Sequence, residues 1–212
     1  MSLTLHGYWR STAAYRVRIA LALKRVDYAQ VTHDLRTGAQ ASDAYRALNP
    51  QGLVPALEAD GDVLTQSPAI LEWLEERYPA PALLPEATTN RAIVRAMAAT
   101  IACDIHPLNN LRVVQALQRD FGLDAGAVQA WMARWMSDGF AALEVMIARH
   151  GRGFAFGDTP TIADCCLVPQ VYSAERFAID LTPYPQLMAS VEQARALPAF
   201  QAAHPDSQPD AG

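Results

Sequence analysis

The stretch Leu53-Val54-Pro55-Ala56-Leu57, followed by Asp60-Gly61 and then by Gln66-Ser67-Pro68-Ala69-Ile70, constrains the fold more than any other part of this chain. Pro55 pushes Val54 toward extended backbone, so the main-chain groups of Val54 can stay outside any helix. Asp60-Gly61 is a turn dipeptide between the apolar stretches 56–59 and 63–65, which predicts a hairpin. Ser67 is a favourable N-cap, and Pro68 suits the first helical position. The helix that follows carries Ile70, Leu71, Leu74 and Tyr78 at helical spacing and must stop before Pro79. Free extended backbone then lies beside a helix N-terminus. A short peptide with a carboxylate could use both, pairing with the backbone and resting its anion on the amides. An ordinary hairpin and helix would account for the same residues.

Upstream, Leu3 and Leu5 alternate with Thr4 and His6 as a short strand. Residues 13–25 carry Val17, Ala20, Leu21 and Lys24 in a helical pattern, residues 28–33 return to a strand, and 42–48 suit a short polar helix. The order β-α-β-α-β-β-α is that of a thioredoxin-like sheet with helices on both faces. Pro79, Pro81 and Pro85 then crowd one short stretch, which reads as a linker. Beyond it only helical patterns remain, over 91–105, 109–121, 125–149, 162–177 and 184–197. The expected fold class is therefore α/β plus all-α. A thioredoxin-like domain spans 1–80, a linker 81–90 and an all-helical domain 91–212. Thr161-Ile162-Ala163-Asp164 is a capping-box pattern, which a satisfied helix start explains. The polar, proline-containing end from His204 is expected to fray.

With 51% hydrophobic and 18% charged residues and a formal net charge of −5, the chain generates no field suited to nucleic acid or an anionic membrane. Any anionic ligand must be held by a few local cations. The three cysteines, Cys103, Cys165 and Cys166, form no C-x-x-C pair and suggest neither a disulfide framework nor a metal site. The first residues lack the charged and apolar regions of a secretory signal, and no apolar run approaches the ~20 residues of a membrane span. A cytoplasmic location is expected.

A small thioredoxin-like domain, a proline linker and a helical domain resemble the cytosolic glutathione transferases. Arg10-Ser11-Thr12-Ala13-Ala14-Tyr15-Arg16-Val17-Arg18-Ile19-Ala20-Leu21 resembles the N-terminal signature of the zeta class, Arg-Ser-Ser-Cys-x-x-Arg-Val-Arg-Ile-Ala-Leu. Ala47-Leu48-Asn49-Pro50, Val54-Pro55, Gln66-Ser67, Ala163-Asp164-x-Cys166-Leu167-Val168-Pro169-Gln170, Glu175-Arg176-Phe177 and Leu181-Thr182-Pro183-Tyr184-Pro185 extend the likeness over nearly the whole chain. The class includes the glutathione-dependent maleylacetoacetate and maleylpyruvate isomerases. Cys103-Asp104-Ile105-His106-Pro107 with Asn109-Asn110 resembles the bacterial maleylpyruvate group most. In one respect the chain departs: the family's Ser-Ser-Cys is Ser11-Thr12-Ala13, so whatever that thiol contributes elsewhere does not carry over.

The resemblance implies reduced glutathione as cofactor, a small dicarboxylate keto acid as substrate and a homodimer. It also implies glutathione-dependent cis–trans isomerisation. Thiolate addition makes the double bond single, rotation follows, and elimination returns glutathione with the fumaryl product. Val54 would pair with the cysteinyl unit and Gln66-Ser67 would hold the γ-glutamyl carboxylate. Gln40, His106 and Asn110 align with further glutathione contacts, although His106 could instead be a capping or packing histidine. Ser11 or Thr12 would donate to the glutathione sulfur beside a helix N-terminus, which favours thiolate. Arginine suits substrate carboxylates and a developing enolate because its fork is planar and always charged. The candidates are Arg10, Arg112, which could face a cleft or solvent, and Arg176. Arg16 and Arg18 read as structural or solvated, and Trp131, Trp135 and Phe140 as core. Two other functions stay open: a transferase that conjugates or dehalogenates α-halo acids or other electrophiles, and a non-catalytic glutathione-fold binding module.

Overall fold

The computed structural model describes residues 2–212, which divide into two compact units: residues 2–83 with 195–212, and 84–194. In the first unit β1 (Thr4–Gly7) runs into α1 (Thr12–Leu23) and returns as β2 (Ala29–Thr32), parallel to β1. A 3-10 turn (Ala39–Ala41) and α2 (Asp43–Leu48) lead to β3 (Ala56–Ala59), the hairpin partner β4 (Asp62–Thr65) and α3 (Ser67–Arg77). The strand order is β2-β1-β3-β4, with β3 antiparallel to both its neighbours. This is the thioredoxin-like arrangement expected, and Ala59 pairs with Asp62 across the two-residue Asp60-Gly61 turn.

α1 is buried along nearly its whole length because it is enclosed by α3 and by α9 (Pro198–Ala203). Buried cations finish its last turns. Lys24, 5% exposed, donates from Nζ to Glu75 Oε2 at 2.7 Å and to the carbonyls of Tyr78 and Pro81. Glu75 Oε2 also accepts the Leu83 N–H. The ion pair thus staples α1, α3 and the proline-rich segment together.

The chain end departs from expectation. Residues 195–212, assigned from sequence to the helical domain and expected to fray, belong to the first unit. Phe200 and Ala203 are buried, His204 meets the Tyr15 ring edge-on, and Gln208 is buried with its amide on the carbonyls of Ala202 and His204. Apolar side chains at 200 and 203 supply the docking face, and these hydrogen bonds hold the polar residues after it.

In the second unit α4 (Thr88–Ala99) starts three residues before the expected helix, and the regular helix ends at Ala99. It widens into a π-helical segment, Thr100–Ile105, and then a 3-10 turn, His106–Asn109. Pro107 has no N–H to continue the α-helical ladder. Ile105 drops onto Gly139, where an added Cβ would lie 2.3 Å from Ile105 Cδ1, so only glycine admits this approach. α5 (Leu111–Arg119), α6 (Ala125–His150), α7 (Ile162–Arg176) and α8 (Pro185–Arg195) complete the unit. α7 is its core helix, buried from Ile162 through Val171. The capping box is formed: Asp164 accepts from Thr161 N at 2.8 Å and Thr161 Oγ1 at 3.0 Å, and also from Ala155 N at 2.7 Å. Phe140 is core as expected, whereas Trp131 and Trp135 are half-buried.

Candidate functional site

The sequence candidates fall into two groups, one in each unit. Arg10, Ser11, Thr12, Gln40, Val54, Gln66 and Ser67 lie in the first; His106, Asn110, Arg112 and Arg176 lie in the second.

Ser11 is the N-cap of α1, with extended backbone and its Oγ accepting the Ala14 N–H at 3.2 Å. It is half-buried, whereas Thr12, the first helical residue, is buried. A hydroxyl engaged as a cap acceptor still holds a proton to donate, and it sits at the positive end of the helix. Arg10, one residue upstream, lies with its guanidinium carbon 4.8 Å from the centroid of the Trp9 ring and reaches the Tyr8 hydroxyl at 3.5 Å.

The loop before β3 is buttressed from beneath. The Leu53 carbonyl accepts from Tyr45 Oη at 2.8 Å and Asn49 Nδ2 at 2.7 Å. Burial pushes the Tyr45 phenol up to about 12, so it stays a donor. Tyr45 is backed by His33, which shares a hydrogen bond with His6, itself bonded to Glu58. Burial, and then the charge of His6, hold His33 below the ordinary histidine value. Val54 follows at a half-buried bend, its peptide to Pro55 cis. Among the described hydrogen bonds none uses its N–H or carbonyl, as the sequence required of a peptide-pairing residue. Gly52, at φ +62°, lies where an added Cβ would be 3.0 Å from the Gln40 carbonyl, so the 39–41 turn packs directly on this loop. Gln40 Oε1 is shielded from solvent with no protein hydrogen-bond partner.

At the start of α3 the cap assignment needs correcting. Ser67 is the first helical residue and Gln66 takes the N-cap position, with φ +67° and no side-chain cap bond. The strained Gln66 backbone turns the chain so that Ser67 points inward, 4% exposed, where its Oγ accepts from Arg16 Nη1 at 3.2 Å. Gln66 itself is exposed and donates to Gln51. Sequence reading missed Arg16. It is 1% exposed and puts a cation under the N-terminus of α3, strengthening the positive potential there. Helical spacing among apolar neighbours marked it as buried-facing; nothing in the sequence paired it with Ser67. Val54, Gln66-Ser67 and Gln40 fit a peptide with a carboxylate: extended backbone, helix amides and an unmet acceptor.

In the second unit Asn110 caps α5, accepting the Arg112 N–H at 3.2 Å, and His106 opens the 3-10 turn. That turn is fixed by Trp131 Nε1 on the Leu108 carbonyl and by Asn109 Nδ2 on the Ile105 carbonyl. Arg112 and Arg176 are exposed, and among the described ion pairs neither meets a carboxylate. Arg176 lies 5.7 Å from the Tyr172 ring and 5.4 Å from the Phe177 ring, so its stem is braced while its charge stays available.

The chain matches the description "Glutathione S-transferase, N-terminal domain" over residues 10–77 and "Glutathione S-transferase, C-terminal domain" over 125–202. It is 52% identical to a maleylpyruvate isomerase from a Ralstonia species, covering 97% of this chain and 98% of that one. The holo structure of a maleyl pyruvate isomerase, a bacterial zeta-class glutathione S-transferase, superposes with a TM-score of 0.97 at 50% identity, covering 99% and 100% of the two chains. A maleylacetoacetate isomerase from Anaeromyxobacter dehalogenans, solved with GSH in its active site, superposes with a TM-score of 0.90 at 46% identity over 100% and 98%. The chain therefore belongs to the glutathione S-transferase family, in the zeta-class branch that it shares with the maleylpyruvate and maleylacetoacetate isomerases.

Proposed function

We propose that this protein is a glutathione-dependent cis–trans isomerase that converts a maleyl keto acid, maleylpyruvate or maleylacetoacetate, to its fumaryl isomer. The observation that carries the reading is full-length identity of about half to proteins of that activity. Glutathione supplies the thiolate, whose reversible addition gives the substrate a single bond about which it can rotate.

The protein's own tasks follow from its residues. The α1 N-terminus and the Ser11 hydroxyl, with Thr12 as the alternative donor, hold the sulfur as thiolate. The Val54 backbone pairs with the cysteinyl unit. The α3 amides, Gln66 and Ser67, over buried Arg16, take the γ-glutamyl carboxylate. Gln40, His106 and Asn110 complete the glutathione contacts. Arg10, Arg112 and Arg176 bind the substrate carboxylates and stabilise enolate charge as it develops. The thioredoxin-like part binds the cofactor and the helical part the substrate. The protein acts as a cytoplasmic homodimer.

Incubation with each keto acid and glutathione, following loss of the enol absorbance, tests the reading. Glutathione-dependent loss with at least one of them is expected. No loss with either, alongside conjugation of an α-halo acid, would instead favour a transferase.

A further inference from the structure

The loop Tyr8–Ser11, which carries Arg10 and Ser11, has one internal backbone bond, Ser11 N–H to the Tyr8 carbonyl at 3.0 Å. Its conformation therefore depends on groups outside it, and these come from two directions. On the α1 side, buried Arg18 donates from Nη2 to the Trp9 carbonyl at 2.9 Å and from Nη1 to the Tyr8 carbonyl at 3.4 Å. Its Nε anchors the Ala203 carbonyl at 3.0 Å. On the other side stands the chain end. Asp210 Oδ2 accepts the Trp9 N–H at 3.0 Å, and its Oδ1 accepts Gln30 Nε2 at 3.2 Å. Buried Gln208 fixes the residues just before it, and Arg36 Nη1 donates to the Gly212 carbonyl.

A carboxylate on a backbone amide is a stronger tether than a neutral acceptor. This one acts one residue from Arg10 and two from Ser11. Trp9, the residue it holds, is also the ring on which the Arg10 guanidinium rests. We propose that Asp210 is a positioning residue for the isomerisation: it fixes the Trp9 amide, and through Trp9 sets the Arg10 guanidinium and the Ser11 hydroxyl. The role rests on the functional reading above, in which those two residues work on substrate and sulfur.

The test compares Asp210→Ala and Asp210→Asn in the full chain, per folded molecule. It measures keto-acid isomerisation, ultraviolet titration of the glutathione thiol in the complex, and amide exchange at Trp9. Asp210→Ala is expected to lower kcat roughly 10-fold, to raise the pKa of the bound thiol and to speed exchange at Trp9. Asp210→Asn keeps an acceptor for the Trp9 amide and should recover most of the loss on all three. Removal of residues 209–212 deletes the same acceptor and should reproduce Asp210→Ala. Parental kcat and parental thiol titration in Asp210→Ala would overturn the proposal, even with faster exchange, and leave Asp210 as an anchor of the chain end alone. A parent protein that isomerises neither keto acid refutes the functional reading and this role together; an active parent matched by Asp210→Ala refutes only this role.

Discussion

Replacing Glu75 by Gln should unfold this protein more readily than any other single isosteric change in the first unit. The substitution keeps shape and removes the charge facing Lys24 Nζ at 2.7 Å, in a place where both residues are under a tenth exposed. The remaining partners of the ammonium are the Tyr78 and Pro81 carbonyls, which are neutral. Breaking one side of a buried ion pair costs ~3–5 kcal/mol, because the surviving charge stays desolvated. For a chain of this length that corresponds to a fall in Tm of ~6–20 °C, at ~2–4 °C per kcal/mol. Lys24→Met should cost a similar amount, since it leaves the carboxylate with one amide donor, Leu83 N–H, where the ammonium stood. The double variant Lys24→Met/Glu75→Gln carries no stranded charge and should lose less than the sum, with a coupling of ~2–3 kcal/mol. Urea unfolding of the four proteins measures the cycle. Single losses below about 1 kcal/mol, or strictly additive losses, would refute the reasoning, because they would mean that neither charge depends on the other.

Asp164 is pushed up to about 6 by burial, against the opposing pull of the Ala155 and Thr161 donors. The folded protein then holds this proton more tightly than the unfolded chain. Its contribution is present in full below about pH 4 and is lost as pH rises through 6, by up to ~3 kcal/mol. Urea unfolding of the parent relative to Asp164→Asn should show that decline; a difference that is flat or grows with pH would contradict it. Ser67→Ala removes a hydroxyl on which Arg16 rests and a glutathione donor, but not the helix cap, so calorimetry should find binding weaker by ~1–3 kcal/mol; unchanged affinity in a folded protein would remove Ser67 from the site. Arg176→Ala should cost ~2–4 kcal/mol of transition-state stabilisation, and Lys should cost less, with glutathione affinity nearly unmoved. Parental turnover in Arg176→Ala would pass the role to Arg10 or Arg112.

Local chemistry made the first unit legible. Alternation in β1, the Asp60-Gly61 turn and the Ser11 cap each leave a short-range signature, and each element formed where its signature stood. Long-range features left none. Arg16 and Arg18 sit three and one apolar positions from Ile19 in a helix whose sequence does not say that both faces are covered; that depends on α9, nearly two hundred residues away. For the same reason the chain end read as frayed. Gln66 misled through propensity: Ser67 is the better cap, yet the chain needs a positive φ at 66 to turn Ser67 inward toward Arg16. The π segment before His106 arises from the meeting of Ile105 with Gly139, which helical periodicity cannot express. Of the candidate site residues, those on short-range motifs could be placed by sequence, whereas the groups that hold them, Tyr45, Arg16, Arg18 and Asp210, come from elsewhere in the chain.

The most direct test of isomerisation is stoichiometric: a large excess of maleylpyruvate, or of maleylacetoacetate, given to the enzyme with a small, fixed amount of glutathione. The account predicts complete conversion to the fumaryl product with all of the glutathione recovered as free thiol. Conversion that halts at one equivalent of glutathione, with a stable thioether left behind, would contradict it.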